Sequence, residues 1–310
     1  MKLQYHGVII MNDVKDIIIV GAGLAGLSAL LYAKRAGYSV SVIEKDVYYG
    51  SQIAKTSVVD NYPGIPDIMG ADLLDAFKKH AIYNKDDIIS DQVTGFEYND
   101  NLWSVFTKTS SYKARTIIYA AGAHHRNLNV PGEKEYTGKG VSYCATCDGA
   151  FFRDKNIAVC GGGNTAAQDV LYMTDIAKKI YLIHRRGSFR FSDKILDKIK
   201  QAGNVNIITN DTVKSINGDK TVSEIVLNSG KTIEVSGVFI AVGMNPDTAI
   251  LKDMNILDDS GYIIADETCK TCLKGFFAAG DVRTKPLRQA VTAASDGAVC
   301  VESVTEYLKY

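Results

Sequence analysis

The stretch Asp16-Ile-Ile-Ile-Val-Gly-Ala-Gly-Leu-Ala-Gly26 decides the fold of this chain. Its β-branched beginning predicts a strand, and residues 27–36 after it are good helix formers. Each glycine has a distinct physical role. Gly21 permits a tight turn, Gly23 lets the backbone approach a pyrophosphate, and Gly26 lets helix and strand pack closely. The phosphates of a ligand would then lie at the helix N-terminus, on free N–H groups and the positive end of the helix dipole.

An acidic residue completes this first unit. The next predicted strand, residues 39–43, ends at Glu44, eighteen residues after Gly26. A carboxylate at that place accepts hydrogen bonds from the ribose hydroxyls of an adenosine dinucleotide. Strand, glycine turn, helix and terminal acid together predict a dinucleotide-binding βαβ unit, which a glycine pattern alone would not.

The unit is repeated later in the chain. Residues 156–160 predict a strand, Gly161-Gly-Gly163-Asn-Thr-Ala166 a second phosphate loop, and residues 167–177 a second helix. The next strand ends not at an acid but at His184-Arg185-Arg186, with Arg190 shortly after. Guanidinium groups bind a 2′-phosphate that an acid would repel, so this unit is predicted to prefer NADPH to NADH. The alternative is a solvated basic patch, and a capping or packing role for His184 stays open.

Between the two loops lies Cys144-Ala-Thr-Cys147-Asp148. Two thiols at this spacing can close a small disulfide ring, and one of them is often reactive near neutral pH. A zinc site would need a second pair of ligands, and no suitable histidine pair follows these cysteines or the other close pair, Cys269 and Cys272. A buried, inert pair is the other alternative, which the polar neighbours disfavour. Redox chemistry is therefore the favoured interpretation.

The remaining cysteines are assigned weaker roles. Cys160, in an apolar strand, and Cys300, in a predicted helix, are interpreted as packing residues. Cys269 and Cys272 have no neighbouring acid or nucleotide loop, so they are interpreted as incidental, with a second redox pair as the alternative.

A third ligand-facing junction is predicted near the end of the chain. A strand runs into Gly280-Asp281, and an Ala-rich helix begins at Arg288-Gln289-Ala290. Asp281 is expected to accept a hydrogen bond from a sugar or ribityl hydroxyl, and an N-cap is the alternative. Earlier in the chain, three further sites are candidates for facing the cofactor, with ordinary loop roles as the alternative: Gln52, Asn61 and the small residues Ala121-Gly122.

Composition sets broad limits. The 310 residues carry a formal net charge of zero, so the bulk field favours neither nucleic acid nor an anionic membrane as a partner. No apolar run reaches the roughly 18 to 20 residues of a membrane span, and the start lacks the features of a signal peptide. A cytoplasmic location is expected. Met11 is an alternative start to Met1, because the organised pattern begins only at Asp16.

With these motifs in their order, the chain resembles the low-molecular-weight thioredoxin reductases from about residue 15 to residue 307. The resemblance rests on the two glycine loops, the Cys144 to Asp148 motif, His184-Arg-Arg, and Phe277-Ala-Ala-Gly-Asp-Val282 with the Arg288 segment. It implies an α/β fold of two Rossmann-like, three-layer βαβ nucleotide-binding domains, the second inserted into the first. An FAD domain would comprise residues 12–124 and 248–310, and an NADPH domain carrying the thiol pair residues 125–247.

The resemblance also implies a homodimer that passes electrons from NADPH through FAD and a Cys144–Cys147 disulfide to thioredoxin. Cys147 would face the flavin, Cys144 would attack thioredoxin, and Asp148 would donate and accept protons. Because the thiol pair and the nicotinamide must each reach one flavin, a domain rotation near residues 124–127 and 243–248 is expected. The residues expected to bind FAD are Gly21, Ala22, Gly23, Ala25, Gly26, Glu44, Gln52, Asn61, Ala121, Gly122, Gly280, Asp281, Arg288, Gln289 and Ala290. Those expected to bind NADPH are Gly161, Gly163, Asn164, Thr165, Ala166, His184, Arg185, Arg186 and Arg190.

The chain departs from the family pattern at a few positions. Gly187 stands where the arginine motif usually has Asp, Phe191 where it has Ala, and the loop before Gln52 reads Gly50-Ser51 in place of two glycines. Two rival functions stay open. One is a related flavoprotein disulfide reductase with another donor, such as ferredoxin, or another acceptor, such as a peroxiredoxin system. The other is a non-catalytic flavin redox sensor.

Overall fold

The computed structural model describes residues 2–5, 8–47, 51–56, 58–84 and 87–309, with side chains from Asp13 onward. Met1 and Gly50, which the sequence singles out, lie outside the described residues. The strands are β1 Lys2–Tyr5, β2 Val8–Val20, β3 Val40–Glu44, β4 Ile88–Ser90, β5 Val93–Asn99, β6 Leu102–Thr107, β7 Ser110–Tyr119, β8 Ala123–His125, β9 Val141–Ser142, β10 Asn156–Cys160, β11 Lys179–His184, β12 Val205–Thr209, β13 Val213–Gly218, β14 Val222–Leu227, β15 Thr232–Glu234, β16 Gly237–Ile240, β17 Met244–Pro246 and β18 Phe276–Ala278.

Helices are fewer. The α-helices are α1 Leu24–Arg35, α2 Gly70–Ala81, α3 Ala145–Asp148, α4 Asn164–Met173, α5 Asp193–Gln201 and α6 Ala290–Leu308. Short 3-10 helices are Ile53–Lys55, Gly149–Phe152, Ala249–Met254 and Gly280–Val282. Within the described ranges, none of the helices has the length and apolar character needed to cross a membrane.

The chain forms two compact units. The first unit comprises Met1–His124 and Pro246–Tyr310, and the second unit is His125–Asn245. The first unit is built on a mixed sheet whose central strands are parallel, and the second on a parallel sheet, each with helices. This confirms the expected α/β fold with one Rossmann-like domain inserted into another. The chain crosses between them in β8 and β17, which form a two-stranded sheet.

The sheet of the first unit is centred on β2. Its order is β4-β3-β2-β7-β6-β5. The pairs β4–β3, β3–β2, β2–β7 and β7–β18 are parallel, whereas β7–β6 and β6–β5 are antiparallel. Ile17 and Ile19 pack on one face of this sheet, against α1 and α6, whereas Ile18 packs on the other. Burial on both faces explains why the strand reads as an unbroken apolar run.

The second unit has a fully parallel sheet. Its order is β12-β11-β10-β16-β9, and β13, β14 and β15 form a separate antiparallel sheet. One face of the parallel sheet packs on α4, with Ile157, Val159 and Leu182 fully buried. The other face packs on the antiparallel sheet through Ile225 and Val238.

Three elements differ from the sequence predictions. The strand expected to begin at Asp16 begins at Val8, because it continues along β7 with Ile9 opposite Ser110. Gly243-Met-Asn-Pro246 has the composition of a turn, but it contains strand β17, since β8 supplies a pairing partner that is distant in sequence. Residues 72–85 have the sequence of an amphipathic helix, and the helix in the structure is Gly70–Ala81.

A buried charge cluster ties α6 to the end of β18. Asp296 of α6 accepts hydrogen bonds from the Gly280 N–H at 2.8 Å, Arg283 Nε at 2.8 Å and Lys285 Nζ at 2.9 Å, and its other oxygen accepts Arg283 Nη2 at 3.0 Å. Burial opposes ionisation, but the hydrogen bonds from Arg283 and Lys285 outweigh it and hold the pKa of Asp296 below its usual value. The carboxylate is therefore ionised at neutral pH and fixes the Gly280 turn.

Asp296→Asn tests this cluster. The change leaves Arg283 and Lys285, whose side chains are 3% and 4% exposed, without their counter-charge. We expect the free energy of unfolding at pH 7 to fall by about 3 to 5 kcal/mol, the usual cost of breaking a buried ion pair. Urea unfolding followed by circular dichroism measures the change.

The matched control is Asp13→Asn, which removes a pair with Lys15 at the surface. It should cost less than about 1 kcal/mol. Because a lowered pKa contributes stability above the unfolded value, the deficit of the Asp296 variant should shrink as the pH falls through the acidic range. A deficit independent of pH, or equal in both variants, would refute the assignment.

Candidate active site

The candidate residues of the first unit lie at one edge of its sheet. β2, β3, β7 and β18 run parallel, so their carboxyl ends meet at the same edge. The segments that follow these four strands are Gly21–Gly26, Glu44, Ala121–Gly122 and Gly280–Asp281. In open α/β sheets this edge is where ligands bind.

The first phosphate loop has the geometry that its glycines predict. Gly21 has a φ of +104°, and a Cβ there would lie 2.4 Å from the Ala120 carbonyl oxygen. A Cβ on Gly26 would lie 1.8 Å from the Gly21 oxygen. At Gly23, by contrast, the nearest atom would be Ser51 Oγ at 3.5 Å. The first two glycines are needed for close backbone packing, whereas a Cβ on Gly23 would meet the Ser51 hydroxyl at an ordinary van der Waals distance and would not collide with backbone.

Glu44 is fixed beside this loop. Its Oε2 accepts the Ala22 N–H at 2.7 Å, and its Oε1 accepts the Asp46 N–H at 2.9 Å. The residue is buried at the end of β3. Two backbone donors therefore hold the carboxylate in one orientation next to the loop.

The carboxyl group of Asp281 lies near charged side chains, but its hydrogen bonding is incomplete. Gly280 before it has a φ of +82°, a conformation that favours glycine. Asp281 Oδ1 is buried and, within the described part of the chain, has no hydrogen-bond partner. Burial raises the pKa of Asp281 to about 6, although Lys285 and Arg288 lower it. A buried acceptor without a partner is costly, and a ligand hydroxyl would satisfy it.

The N-cap alternative for Asp281 is wrong. Helix α6 begins at Ala290, as the sequence predicts, and its N-cap is Gln289. Gln289 and Thr292 form a reciprocal capping box, in which Thr292 Oγ1 accepts the Gln289 N–H at 3.1 Å. Arg288 donates from Nε to the Asp281 carbonyl oxygen at 3.2 Å, so it supports the turn that carries Asp281.

The structure places three of the loop candidates as follows. Asn61 Nδ2 donates to Gln289 Oε1 at 3.2 Å, which connects the excursion after Glu44 to the start of α6. Gln52 lies at the start of the 3-10 helix Ile53–Lys55. Gly122 has a φ of +76° and open space beside it.

In the second unit, the phosphate loop packs against His184. A Cβ on Gly162 would lie 2.2 Å from the His184 ring, and one on Gly161 would lie 2.3 Å from the Ala241 carbonyl oxygen. Arg190 reaches the loop in two ways. Its N–H donates to the Gly162 oxygen at 2.8 Å, and its Nη2 lies 3.2 Å from the position of a Cβ on Gly163, directly before α4. The loop and the arginine motif thus form one site.

The structure places the ring of His184 in a packed position, and its predicted contact with NADPH stays a prediction. The buried ring stacks on Phe189 with centroids 5.1 Å apart, and Phe189 stacks on Phe191 at 4.7 Å. Burial lowers the pKa of His184. The nearby charges of Arg190, Arg185 and Arg186 lower it further, whereas the hydrogen bond to the Ser188 carbonyl raises it. Phe191, one of the departures from the family pattern, is therefore part of a stack that supports the phosphate loop.

The three guanidinium groups remain exposed. Among the described residues, neither Arg185, Arg186 nor Arg190 forms an ion pair with a carboxylate. Gly187, the other departure, lies against Asn210, whose Oδ1 would be 3.3 Å from a Cβ there. Exposed cations beside a phosphate loop fit an additional anionic group better than they fit a structural ion-pair network.

The thiol motif lies at the same edge of the second sheet. Strand β9, parallel to β16, ends at Ser142, and α3 after it packs against α4, the helix that follows the phosphate loop. Cys144 and Cys147 form a disulfide with Cα atoms 5.3 Å apart. Thr146 Oγ1 lies 3.4 Å from Cys144 Sγ, and Asp148 Oδ2 accepts the Ser142 hydroxyl at 2.6 Å. The two sulfurs, an acid and the nucleotide loop thus belong to one edge.

The other four cysteines are free. Cys160, Cys269 and Cys300 are buried, whereas Cys272 is exposed. Cys269 Sγ lies 3.6 Å from the Asp296 carbonyl oxygen of α6 rather than against Cys272. In the part of the chain with described side chains, no three metal-binding side chains come together.

Several residues at or near these sites belong to no sequence motif, so the sequence alone does not indicate their roles. Ser142 is a single serine in a two-residue strand, and Asp296 is one polar residue inside an Ala-rich helix. Asp169 of α4 is a third case, since burial raises its pKa to about 7. Their environment follows from folded contacts and burial, which a local pattern does not encode.

Comparisons with known proteins agree with this geometry. The profile of the family described as pyridine nucleotide-disulphide oxidoreductase matches residues 15–297. A thioredoxin reductase of Listeria innocua is 41% identical, with 96% of this chain and 95% of that protein covered. The solved structure of thioredoxin reductase from Streptococcus pyogenes has a TM-score of 0.90 and 40% identity, covering 96% of this chain and 99% of that one. That from Giardia duodenalis has a TM-score of 0.90 and 32% identity, covering 96% and 100%. The chain therefore belongs to the pyridine nucleotide-disulphide oxidoreductase family and resembles its thioredoxin reductases over nearly its whole length.

Proposed function

We propose that the protein is an NADPH-dependent thioredoxin-disulfide reductase containing FAD. The observation that carries the proposal is the Cys144–Cys147 disulfide with Asp148 beside it, at the same sheet edge as a phosphate loop flanked by three arginines. Relatives named thioredoxin reductase, 38% to 42% identical over nearly the whole chain, support the choice of thioredoxin as the acceptor. The family resemblance is also the ground for proposing a homodimer and a cytoplasmic location.

The first unit fits FAD. Gly23 suits the approach of a pyrophosphate, Glu44 suits the adenosine ribose, and the unpartnered Oδ1 of Asp281 suits a hydroxyl of the ribityl chain. The remaining predicted contacts lie in the same loops and at the start of α6. We therefore assign the first unit, comprising the segments before residue 125 and after residue 245, to FAD.

The second unit fits NADPH. The loop from Gly161 to Ala166 suits the pyrophosphate, and Arg185, Arg186 and Arg190 suit the 2′-phosphate. His184 contributes by packing under the loop. When bound, the two cofactors supply a hydride donor and a carrier that delivers an electron pair to the disulfide.

The protein residues carry the thiol chemistry. Once the pair is reduced, Cys144 as thiolate attacks one sulfur of the thioredoxin disulfide, forms a mixed disulfide and releases the other sulfur as a thiolate. Cys147 as thiolate then attacks Cys144 Sγ, which restores the Cys144–Cys147 disulfide and releases reduced thioredoxin. Asp148 supplies or removes protons as the sulfurs change charge. We also propose that the units rotate about the two linkers to alternate access to the flavin.

The primary test is an anaerobic titration of the purified protein with NADPH, followed by flavin absorbance. We expect uptake of about two hydride equivalents per chain, one for the flavin and one for the disulfide. The reduced protein should then reduce added thioredoxin. Uptake of one equivalent would favour a sensor or another acceptor, and an unbleached flavin would indicate another donor such as ferredoxin.

Asp281→Asn separates the stability and binding roles of this carboxyl group. Its pKa of about 6 lies above the usual value of 3.8, so the folded protein is destabilised as the pH rises through that window. Removing the buried charge should therefore raise the unfolding free energy of flavin-free protein at pH 7 by about 2 kcal/mol. The gain should disappear below about pH 4. FAD affinity should fall about 10- to 100-fold, because a charged acceptor is lost.

Calorimetric unfolding and fluorescence titration with FAD measure the two effects. The control Asp259→Asn changes an exposed carboxylate and should affect neither. Unchanged FAD affinity in the Asp281 variant would contradict its assignment to the ribityl chain.

Arg190→Ala tests the choice of nucleotide. The KM for NADPH should rise about 10- to 100-fold, the effect of losing a charged hydrogen bond, with little change for NADH. Steady-state kinetics with both nucleotides measure the ratio. Arg153→Ala, an exposed arginine of the same unit, is the matched control. An equal loss for both nucleotides would show that Arg190 does not read the 2′-phosphate.

A further inference from the structure

Ser142 connects the thiol motif to its acid. The side chain is buried, with the residue 4% exposed. Its Oγ accepts the Cys144 N–H at 3.1 Å and lies 2.6 Å from Asp148 Oδ2 and 3.3 Å from the Cys144 carbonyl oxygen. The Ser142 hydroxyl thus contacts the N–H group and the carbonyl oxygen of Cys144 and the carboxyl group of Asp148.

A serine hydroxyl has one proton and two acceptor lone pairs. Two acceptors, Asp148 Oδ2 and the Cys144 carbonyl oxygen, are within reach of that single proton. When Asp148 is ionised, the short contact is a charge-assisted hydrogen bond from Ser142. When Asp148 is protonated, its own O–H donates to Ser142 Oγ, and the serine proton turns to the Cys144 carbonyl. The buried hydroxyl is satisfied in both states.

We propose that Ser142 is the positioning residue for proton transfer by Asp148, its rotating hydroxyl tying the carboxyl group to the Cys144 backbone in both protonation states. The proposal deepens the proposed function and rests on the role given there to Asp148. It concerns the reverse of the final exchange step described above, in which an incoming thiolate forms a bond to one sulfur of the Cys144–Cys147 pair. The bond between the two sulfurs breaks, the Asp148 O–H turns from Ser142 Oγ to the leaving sulfur, and the leaving thiolate takes that proton. Ser142 keeps its own proton and turns it to the new carboxylate.

Other titratable groups lie on the elements around Asp148. Tyr143 precedes the motif, and its hydroxyl donates to Glu133 at 2.9 Å; burial raises the pKa of Tyr143 to about 12. Helix α4, packed against α3, carries Tyr172 and Asp169. Asp169 lies one turn before Met173, whose sulfur faces Gly149, so it belongs to the face turned toward the motif. Because burial raises the pKa of Asp169 to about 7, its titration must be separated from that of Asp148.

The experiment measures the reduction of the Cys144–Cys147 disulfide by dithiothreitol in the purified full-length protein. Samples are quenched by alkylation, and the alkylated cysteines are counted by mass spectrometry between about pH 3 and pH 9, a range that includes the ordinary titration of a carboxyl group. Each rate is divided by the concentration of dithiothreitol thiolate, which removes the pH dependence of the reductant. Any decline of this corrected rate with rising pH then reports loss of the proton that the enzyme donates. Neither thioredoxin nor NADPH takes part.

For Ser142→Ala we expect a shift of this decline by about one pH unit to higher pH, because a donor that favours the ionised carboxyl group is lost. We also expect a rate about 10-fold lower on the acidic plateau, because the carboxyl group is no longer held. Ser142→Thr keeps the hydroxyl and should retain the wild-type midpoint. Ser223→Ala removes an exposed hydroxyl from the same unit and should change neither quantity.

The outcomes separate the possible failures. Asp148→Asn should abolish the decline, and a decline that persists in this variant would overturn the proton-donor role of Asp148 itself. If that variant behaves as expected but Ser142→Ala keeps the wild-type midpoint and rate, the Ser142 proposal is refuted. Loss of the decline in Asp169→Asn would refute it also, by assigning the titration to Asp169. If the alanine variant does not fold, Ser142→Val against Ser142→Thr gives the same comparison at nearly constant shape.

Discussion

The carboxyl ends of parallel strands lie at one edge of each sheet, and every functional arrangement in this protein depends on that constraint. In the first unit it gathers segments from residues 21–26, 44, 121–122 and 280–281. In the second it gathers the loop after β10, the arginine motif after β11 and the thiol motif after β9. Glycines allow the segments at these edges to pack closely. At Gly21, Gly26 and Gly161 a Cβ would collide with the backbone of a neighbouring segment.

Electrostatics distinguishes the two edges. In the first unit, Asp296 neutralises two buried cations and fixes the turn that precedes Asp281. Among the described residues, the buried Oδ1 of Asp281 has no hydrogen-bond partner. In the second unit, three guanidinium groups stay exposed, and the ring under the loop is kept neutral by burial and by those cations. One edge therefore presents an acceptor to a ligand's hydroxyl groups, and the other presents donors to an additional anion.

The disulfide shows how redox and proton chemistry share one short segment. Cys144 is the N-cap of α3, and Cys147 and Asp148 are the last two residues of that helix. Ser142, the last residue of β9, ties the acid to the backbone of Cys144. The packing of α3 on α4 brings this segment to the helix that starts at the phosphate loop.

The sequence by itself determined the α/β class, the repeated phosphate loops, the start of α6 and the reactive thiol pair. These features are local: they depend on glycine conformations, on apolar runs and on residues adjacent in the chain. It did not determine that β2 starts at Val8 or that residues 244–246 form a strand, because each depends on a partner strand far away in sequence. Only the tertiary structure decided the packing of His184 under Gly162, the attachment of Gly280 to Asp296 and the contact of Ser142 with Asp148. In each case the group's role is set by burial beside a partner, and burial is a property of the folded chain rather than of any short stretch of it.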